Sequence, residues 1–137
     1  MAYWILKTEP SAYSFDDLQR EQRTVWDGVA NAQALINIQR MQPGDQALIY
    51  HSGDERALIG FARITSQPYP DPKLDDPKRA VVDVEAGDRL QKPISLAAIK
   101  ADPIFVDFAL VRQSRLSVVP VGEQHWQRLI EMIEHDA

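Results

Sequence analysis

Q-A-L-I-Y-H-S-G-D-E-R-A-L-I-G-F-A-R-I, residues 46–64, decides the fold. Two apolar runs, 46–51 and 57–64, are rich in Leu, Ile, Tyr and Phe, and Ser52 to Glu55 between them carries Ser, Gly and Asp, which favour turns. The pattern predicts two strands joined by a hairpin-like turn. Gly60 lies inside the second strand, where a missing side chain marks a bulge or the close approach of another group.

Upstream of the hairpin, 3–7 (Y-W-I-L-K) reads as a first strand. Ser14, with an acid at the third following position, resembles a helix N-cap and predicts a short helix. Leu35, Ile38 and Met41 recur at helical spacing in 31–41, and Pro43-Gly44-Asp45 ends that helix with a turn. Downstream, 68–77 places four of the nine prolines in ten positions, which predicts an extended loop over 67–77. Strands follow at 80–85, at 90–94 as a short one, and at 116–119. Ser95 caps a short helix over 96–101, ended by Asp102-Pro103, and 104–111 fits no single element. Trp126, Leu129, Ile130 and Ile133 stand at i, i+3, i+4 and i+7 and predict a closing amphipathic helix. Five or six strands with short, irregularly placed helices imply an α+β fold, and a small curved β-barrel hides that many strand edges economically.

The chain has 137 residues, the length of one domain with a core needing neither disulfide nor metal, and 1–137 is read as a single domain. No apolar run approaches a membrane span and the start lacks a signal-peptide pattern, so the expectation is a cytoplasmic protein without membrane contact. Zero Cys excludes disulfides, thiolate metal sites and a Cys nucleophile. A net charge of −5 argues against strong non-specific binding to nucleic acid, which rests on many Lys and Arg. Arg outnumbers Lys ten to five, however, and Arg112 and Arg115 lie close together, either as surface charges or as a local contact for phosphate.

Three β-rich runs stop abruptly at hydrogen-bonding groups: 3–7 at Thr8-Glu9-Pro10, 48–50 at His51-Ser52-Gly53, and the run V-W-D-G-V-A-N at 25–31 around Asp27-Gly28. Strands ending at a shared opening give this pattern, and it predicts one polar-rimmed pocket with an aromatic wall. Trp26 is the candidate wall, because Asp-Gly directly after it favours a turn over a core strand. Trp4 and Trp126 fit their strand and helix patterns and read as packing. Asp27 and Glu9 are either solvated turn acids or carboxylates at a pocket lip that accept from an exocyclic amine, as Asp and Glu do from cytosine N4. His51 and Ser52 with Asp27 suggest a triad on paper, but Ser52 lacks the G-x-S-x-G elbow, so His51 reads as a single hydrogen-bonding group or a strand-end cap. His51, His125 and His135 show no ligand spacing, with the last two placed on or beyond the exposed side of the final helix, so no metal is expected. The six glycines are isolated, so no phosphate loop and no cofactor is expected.

Y-W-I-L-K-T-E-P at 3–10, W-D-G-V-A-N at 26–31, M-Q-P-G-D at 41–45, Y-H-S at 50–52, I-G-F-A-R-I at 59–64, Y-P-D-P at 69–72 and R-L-S-V-V-P-V at 115–121 together resemble the EVE domain, in order along nearly the whole chain. The resemblance implies a PUA-like fold, a small β-barrel with peripheral helices, similar to the YTH readers of methylated adenine. It implies a reader of a modified, flipped nucleobase rather than an enzyme. By resemblance Trp26 is the stacking wall and Lys7, Thr8 and Glu9 are polar contacts at the end of the first strand. Asp27, Gly28, Val29 and Asn31 form a second edge, and Tyr50, His51 and Ser52 the far side. The chain departs from the family's pattern at Ala30, Ala32 and 34–36, where the family commonly carries Arg, an aromatic or Pro, and A-R-N. Loss of cations there predicts weak contact with phosphates. The expected ligand is thus a modified cytosine or adenine in DNA or RNA, or a free nucleotide-like molecule. The competing reading is an enzyme acting on a small nucleotide-like substrate through His51 and Asp27.

Overall fold

The computed structural model describes residues 1–135. In chain order its elements are β1 (Tyr3–Thr8), α1 (Phe15–Glu21), β2 (Arg23–Trp26), α2 (Ala32–Gln39), β3 (Gln46–His51), β4 (Ala57–Ile64), β5 (Tyr69–Pro70) and β6 (Ala80–Ser95). Then come α3 (Leu96–Lys100), a 3-10 turn (Pro103–Phe105), α4 (Ala109–Arg112), β7 (Val118–Val121) and α5 (Glu123–His135). The fold is α+β, with one curved seven-stranded sheet in the order β2-β6-β4-β3-β1-β7 and β5 paired to β6 off this path.

The sheet does not close into a barrel. Its edges, β2 and β7, are each four residues long, with α1 packed beside β2 and α2 beside β7. Short edge strands with a neighbouring helix protect an edge without closure. Pro120 sits exposed in β7, where an edge tolerates the missing donor. The same tolerance explains β5, a two-residue strand within the proline-rich stretch, with Tyr69 opposite Val81.

The β3–β4 hairpin lies at 46–51 and 57–64 as the sequence predicts. Gly60 proves to be a point of close approach, since a Cβ there would stand 2.2 Å from Cζ of Phe15. Phe15 opens α1 and is fully buried, and the register between β4 and β6 shifts on both sides of Gly60. The two strands expected at 80–85 and 90–94 are one strand of sixteen residues, β6. Gly87 lets its backbone pass β4, because a Cβ there would lie 3.0 Å from the Phe61 carbonyl oxygen.

The helix signals hold locally. Ser14 caps α1 in a capping box with Asp17, and Ser95 caps α3. In α5 the buried side chains are Trp126, Leu129 and Met132, while Ile130 and Ile133 are half-buried. Trp126 stacks on Tyr3 at 4.5 Å between ring centroids. At the turn before β3, the buried carboxylate of Asp45 accepts from Ala2 N at 3.1 Å, Trp4 Nε1 at 3.0 Å and Gln42 N at 3.0 Å, tying the start of β1 to that turn. β1 runs parallel to β3, which brings Lys7 beside Tyr50 and Thr8 beside His51. No helix among the described residues is long and apolar enough to cross a membrane.

Candidate functional site

β1 and β2 end at one open cleft of about 360 Å3. Lys7 and Thr8 from β1, Tyr13 from the following loop, and Trp26, Asp27 and Gly28 from the end of β2 line it, with Ser117 ahead of β7. Each is held by its local structure. The Thr8 hydroxyl donates to the Tyr13 carbonyl at 2.6 Å, and the loop folds back as Ala12 N and Tyr13 N donate to the Glu9 carbonyl at 3.0 and 2.9 Å. That places the Tyr13 ring edge-on to Trp26, with centroids 6.2 Å apart and planes at 85°. β2 is paired on one side only, with Trp26 opposite Val82, so its other side is left to the cleft. Trp26 retains 7% exposure. Gly28 turns the chain at φ +78°, a conformation that favours glycine.

The electrostatics are mixed. Lys7 Nζ donates to the Ser114 carbonyl at 3.1 Å and lies 5.7 Å from the centre of the Tyr50 ring, and burial pulls its pKa below that of an ordinary lysine. The Tyr13 hydroxyl donates to Glu21 at 2.6 Å, and burial together with that carboxylate pushes its pKa up to about 12, so it stays a neutral phenol. Asp27 is exposed at the lip, with Lys73 Nζ 3.9 Å from its carboxylate. The cleft therefore offers the small exposed part of an indole that otherwise packs in the core, hydroxyls, one carboxylate acceptor and one ammonium. That set suits binding of a flat polar molecule.

Of the residues the sequence nominates, Lys7, Thr8, Trp26, Asp27, Gly28 and Val29 meet in the cleft, and Glu9, Asn31, Tyr50, His51 and Ser52 do not line it. Glu9 is occupied by Ser11, whose backbone N and hydroxyl both donate to it, and the hydroxyl contact in particular holds its carboxyl below the usual range. Asn31 caps α2 by accepting from Ala34 N at 3.0 Å. Tyr50 is buried, and Ser52 donates through both N and Oγ to the Thr8 carbonyl. His51 is 5% exposed. Its Nε2 accepts from Phe15 N at 2.9 Å, so the ring proton sits on Nδ1 and donates to Glu55 Oε1 at 3.1 Å. Nε2 holds the first turn of α1 and Nδ1 the β3–β4 turn through Glu55, so both nitrogens are engaged and a His51–Asp27 pair has no geometric basis. The strand stop at His51-Ser52 thus faces inward, because its polar groups find partners inside the fold.

Tyr13, Thr24 and Ser117 are cleft residues that the sequence reading misses. An aromatic directly before the Ser14 cap was a usable signal for Tyr13; nothing local marks Ser117, which arrives from the far end of the chain. His125 is also placed differently from expectation. It is half-buried against Phe105 and Phe108, with Nε2 3.0 Å from the Ile104 carbonyl, while His135 is exposed. Among the described residues no three His, Asp or Glu side chains gather where a metal ion could sit. Arg112 and Arg115 line a separate hollow next to the cleft.

The family model described as the EVE domain matches residues 2–132. Human thymocyte nuclear protein 1 is 28% identical over a 170-residue alignment covering 98% of this chain and 75% of that protein. Among solved structures, Rpa0253 from Rhodopseudomonas palustris superposes with a TM-score of 0.92 at 38% identity, covering 98% of this chain and 94% of its own. The human THYN1 protein in complex with 5-methylcytosine containing DNA superposes with a TM-score of 0.90 at 27% identity over 100% of both chains.

Proposed function

This chain belongs to the EVE domain family, and from that premise we propose that it is a binding module that reads a modified nucleobase of nucleic acid, a modified cytosine first and a modified adenine second. The observation that carries the reading is the cleft in which Trp26, braced edge-on by Tyr13, stands beside hydrogen-bonding groups of both signs. The human relative solved with 5-methylcytosine containing DNA supplies the class of base. Extruding a base from a stack costs a few kcal/mol, and stacking on an aromatic returns about 1–3 kcal/mol. Stacking alone leaves the exchange near balance. Asp27, accepting from the exocyclic amine, and Lys7, donating to the ring carbonyl of cytosine or a ring nitrogen of adenine, supply the remainder and select the base.

A methyl group distinguishes the modified base through apolar contact with Val25, Val29 and Ala12 on the cleft wall. One buried methyl is worth about 0.8 kcal/mol, or roughly fourfold in affinity. The test is titration of the protein with short oligonucleotides carrying one 5-methylcytosine, one N6-methyladenine or no modification. At least a fourfold preference for a modified strand is expected. Trp26→Ala should weaken binding by about 1–3 kcal/mol, measured well below its melting temperature because the indole is also packed. Equal affinity for modified and unmodified strands would sink the reading.

A further inference from the structure

Resting on the base-reading cleft, we infer that the neighbouring hollow lined by Arg112 and Arg115 receives the phosphate that follows or precedes the bound base, so that the ligand carries a phosphate beside the base, as a strand or a nucleotide does, and is not a free nucleoside. The hollow, about 330 Å3, is formed by the end of α4, the segment ahead of β7 and the start of α2. Two chain segments run from it into the cleft. Ser114 to Leu116 face the hollow and Ser117 the cleft; Asn31 faces the hollow and Val29 the cleft. Lys7 Nζ stands at the boundary on the Ser114 carbonyl. From Val29 to Asn31 the chain advances at most about 7 Å, the length scale of one nucleotide step.

Charge singles this hollow out. Two guanidiniums and no carboxylate line it, in a chain of net charge −5, whereas each of the four other principal hollows includes Asp or Glu. Arg115 is exposed and makes no ion pair or hydrogen bond among the described residues. Arg112 is aimed by its own Nε, which donates to the Val106 carbonyl at 2.6 Å, leaving its terminal nitrogens for a ligand. A planar guanidinium matches two phosphate oxygens at once, and Gln113 and Ser114 add neutral donors of the kind that accompany Arg at nucleic-acid backbones. A nucleoside bound in the cleft would leave all of these groups facing water.

The test compares a modified nucleoside, its 5′- and 3′-monophosphates, and a trinucleotide with the same base in the middle, against the wild-type chain, Arg115→Gln and Arg112→Gln. The trinucleotide is expected to bind at least about fivefold more tightly than the nucleoside, with a log–log salt slope steeper by about 0.7 for each phosphate engaged. Arg115→Gln should remove most of that gain, leave nucleoside affinity and melting temperature unchanged, and preserve the modified-to-unmodified ratio. A trinucleotide no tighter than the nucleoside overturns the phosphate assignment; a monophosphate as tight as the trinucleotide supports it with a nucleotide as the source of the phosphate, and a weaker monophosphate supports it with a strand as the source. The assignment is also overturned if both Arg variants bind the trinucleotide as wild type does. If the trinucleotide binds through the arginines but the modified-to-unmodified ratio is one, it is the cleft reading that fails.

Discussion

His51 and Trp26 each end a strand, each is less than a tenth exposed, and they are used in opposite ways. Around His51 every polar group has a partner inside the protein: Phe15 N, Glu55 and the Thr8 carbonyl saturate the end of β3. The ring of Phe15 fills the space that Gly60 leaves open. Around Trp26 the strand is an edge, its neighbours Thr24, Asp27 and Gly28 face an open cleft, and space remains where Gly28 turns. The difference separates a joint from a candidate site. Hydrogen-bonding groups saturated by the fold stabilise it, and those left facing solvent beside an aromatic wall are what a ligand can use.

The packed side of the molecule carries the largest expected effect. Phe15→Ala should cost about 3–5 kcal/mol in chemical denaturation, because a fully buried ring seated on Gly60 leaves a cavity that β4 cannot fill. A loss below about 1 kcal/mol would show that the joint is not seated there. His51→Ala is the next largest effect. It strips the buried Phe15 N–H of its acceptor and should cost about 1–3 kcal/mol of stability while leaving oligonucleotide affinity unchanged below the melting transition. Affinity that drops with stability intact would return His51 to the binding site.

Alkaline pH sharpens the contrast through Tyr13, which touches both regions by way of α1. The folded phenol is held up to about 12 from an ordinary 10.0, by burial and then by Glu21, and Tyr69 is likewise raised to about 12, chiefly by Asp83. Between pH about 10 and about 12 the unfolded chain loses these protons while the folded chain keeps them, so stability is fully present below pH 10 and falls as pH rises through that window. Denaturation midpoints at pH 9 and pH 11 measure the drop, and Tyr13→Phe should reduce it by removing one of the contributing phenols, among them Tyr50, whose pKa burial also raises. The smallest effect lies on the open side. Asp27→Asn, at an exposed lip with only Lys73 3.9 Å away, should leave stability within about 0.5 kcal/mol and act on base preference alone. A larger stability loss would mean that Asp27 belongs to the frame rather than to the cleft.

What the sequence by itself determined is local or strongly patterned. The hairpin at 46–64, the caps at Ser14 and Ser95 and the closing helix follow from interactions spanning a few residues or from the period of apolar side chains, whereas Gly60 was open between a bulge and a close approach until Phe15 was placed on it. The Trp-Asp-Gly turn pointed to the cleft for the same reason, since its chemistry is complete within three positions. Tertiary structure alone decided the rest. β2 is a strand only because Val82 to Glu85 lie beside it, β6 is continuous only because Gly87 can pass Phe61, and the sheet stays open because its short edges have helices beside them. The outcome for His51 depended on Phe15, 36 residues away, and the boundary between cleft and hollow on Ser114, 107 residues from Lys7. A hydrogen-bonding side chain at a strand end has the same local pattern whether its partner is the protein or a ligand, and only the packing of distant segments determines which partner it meets.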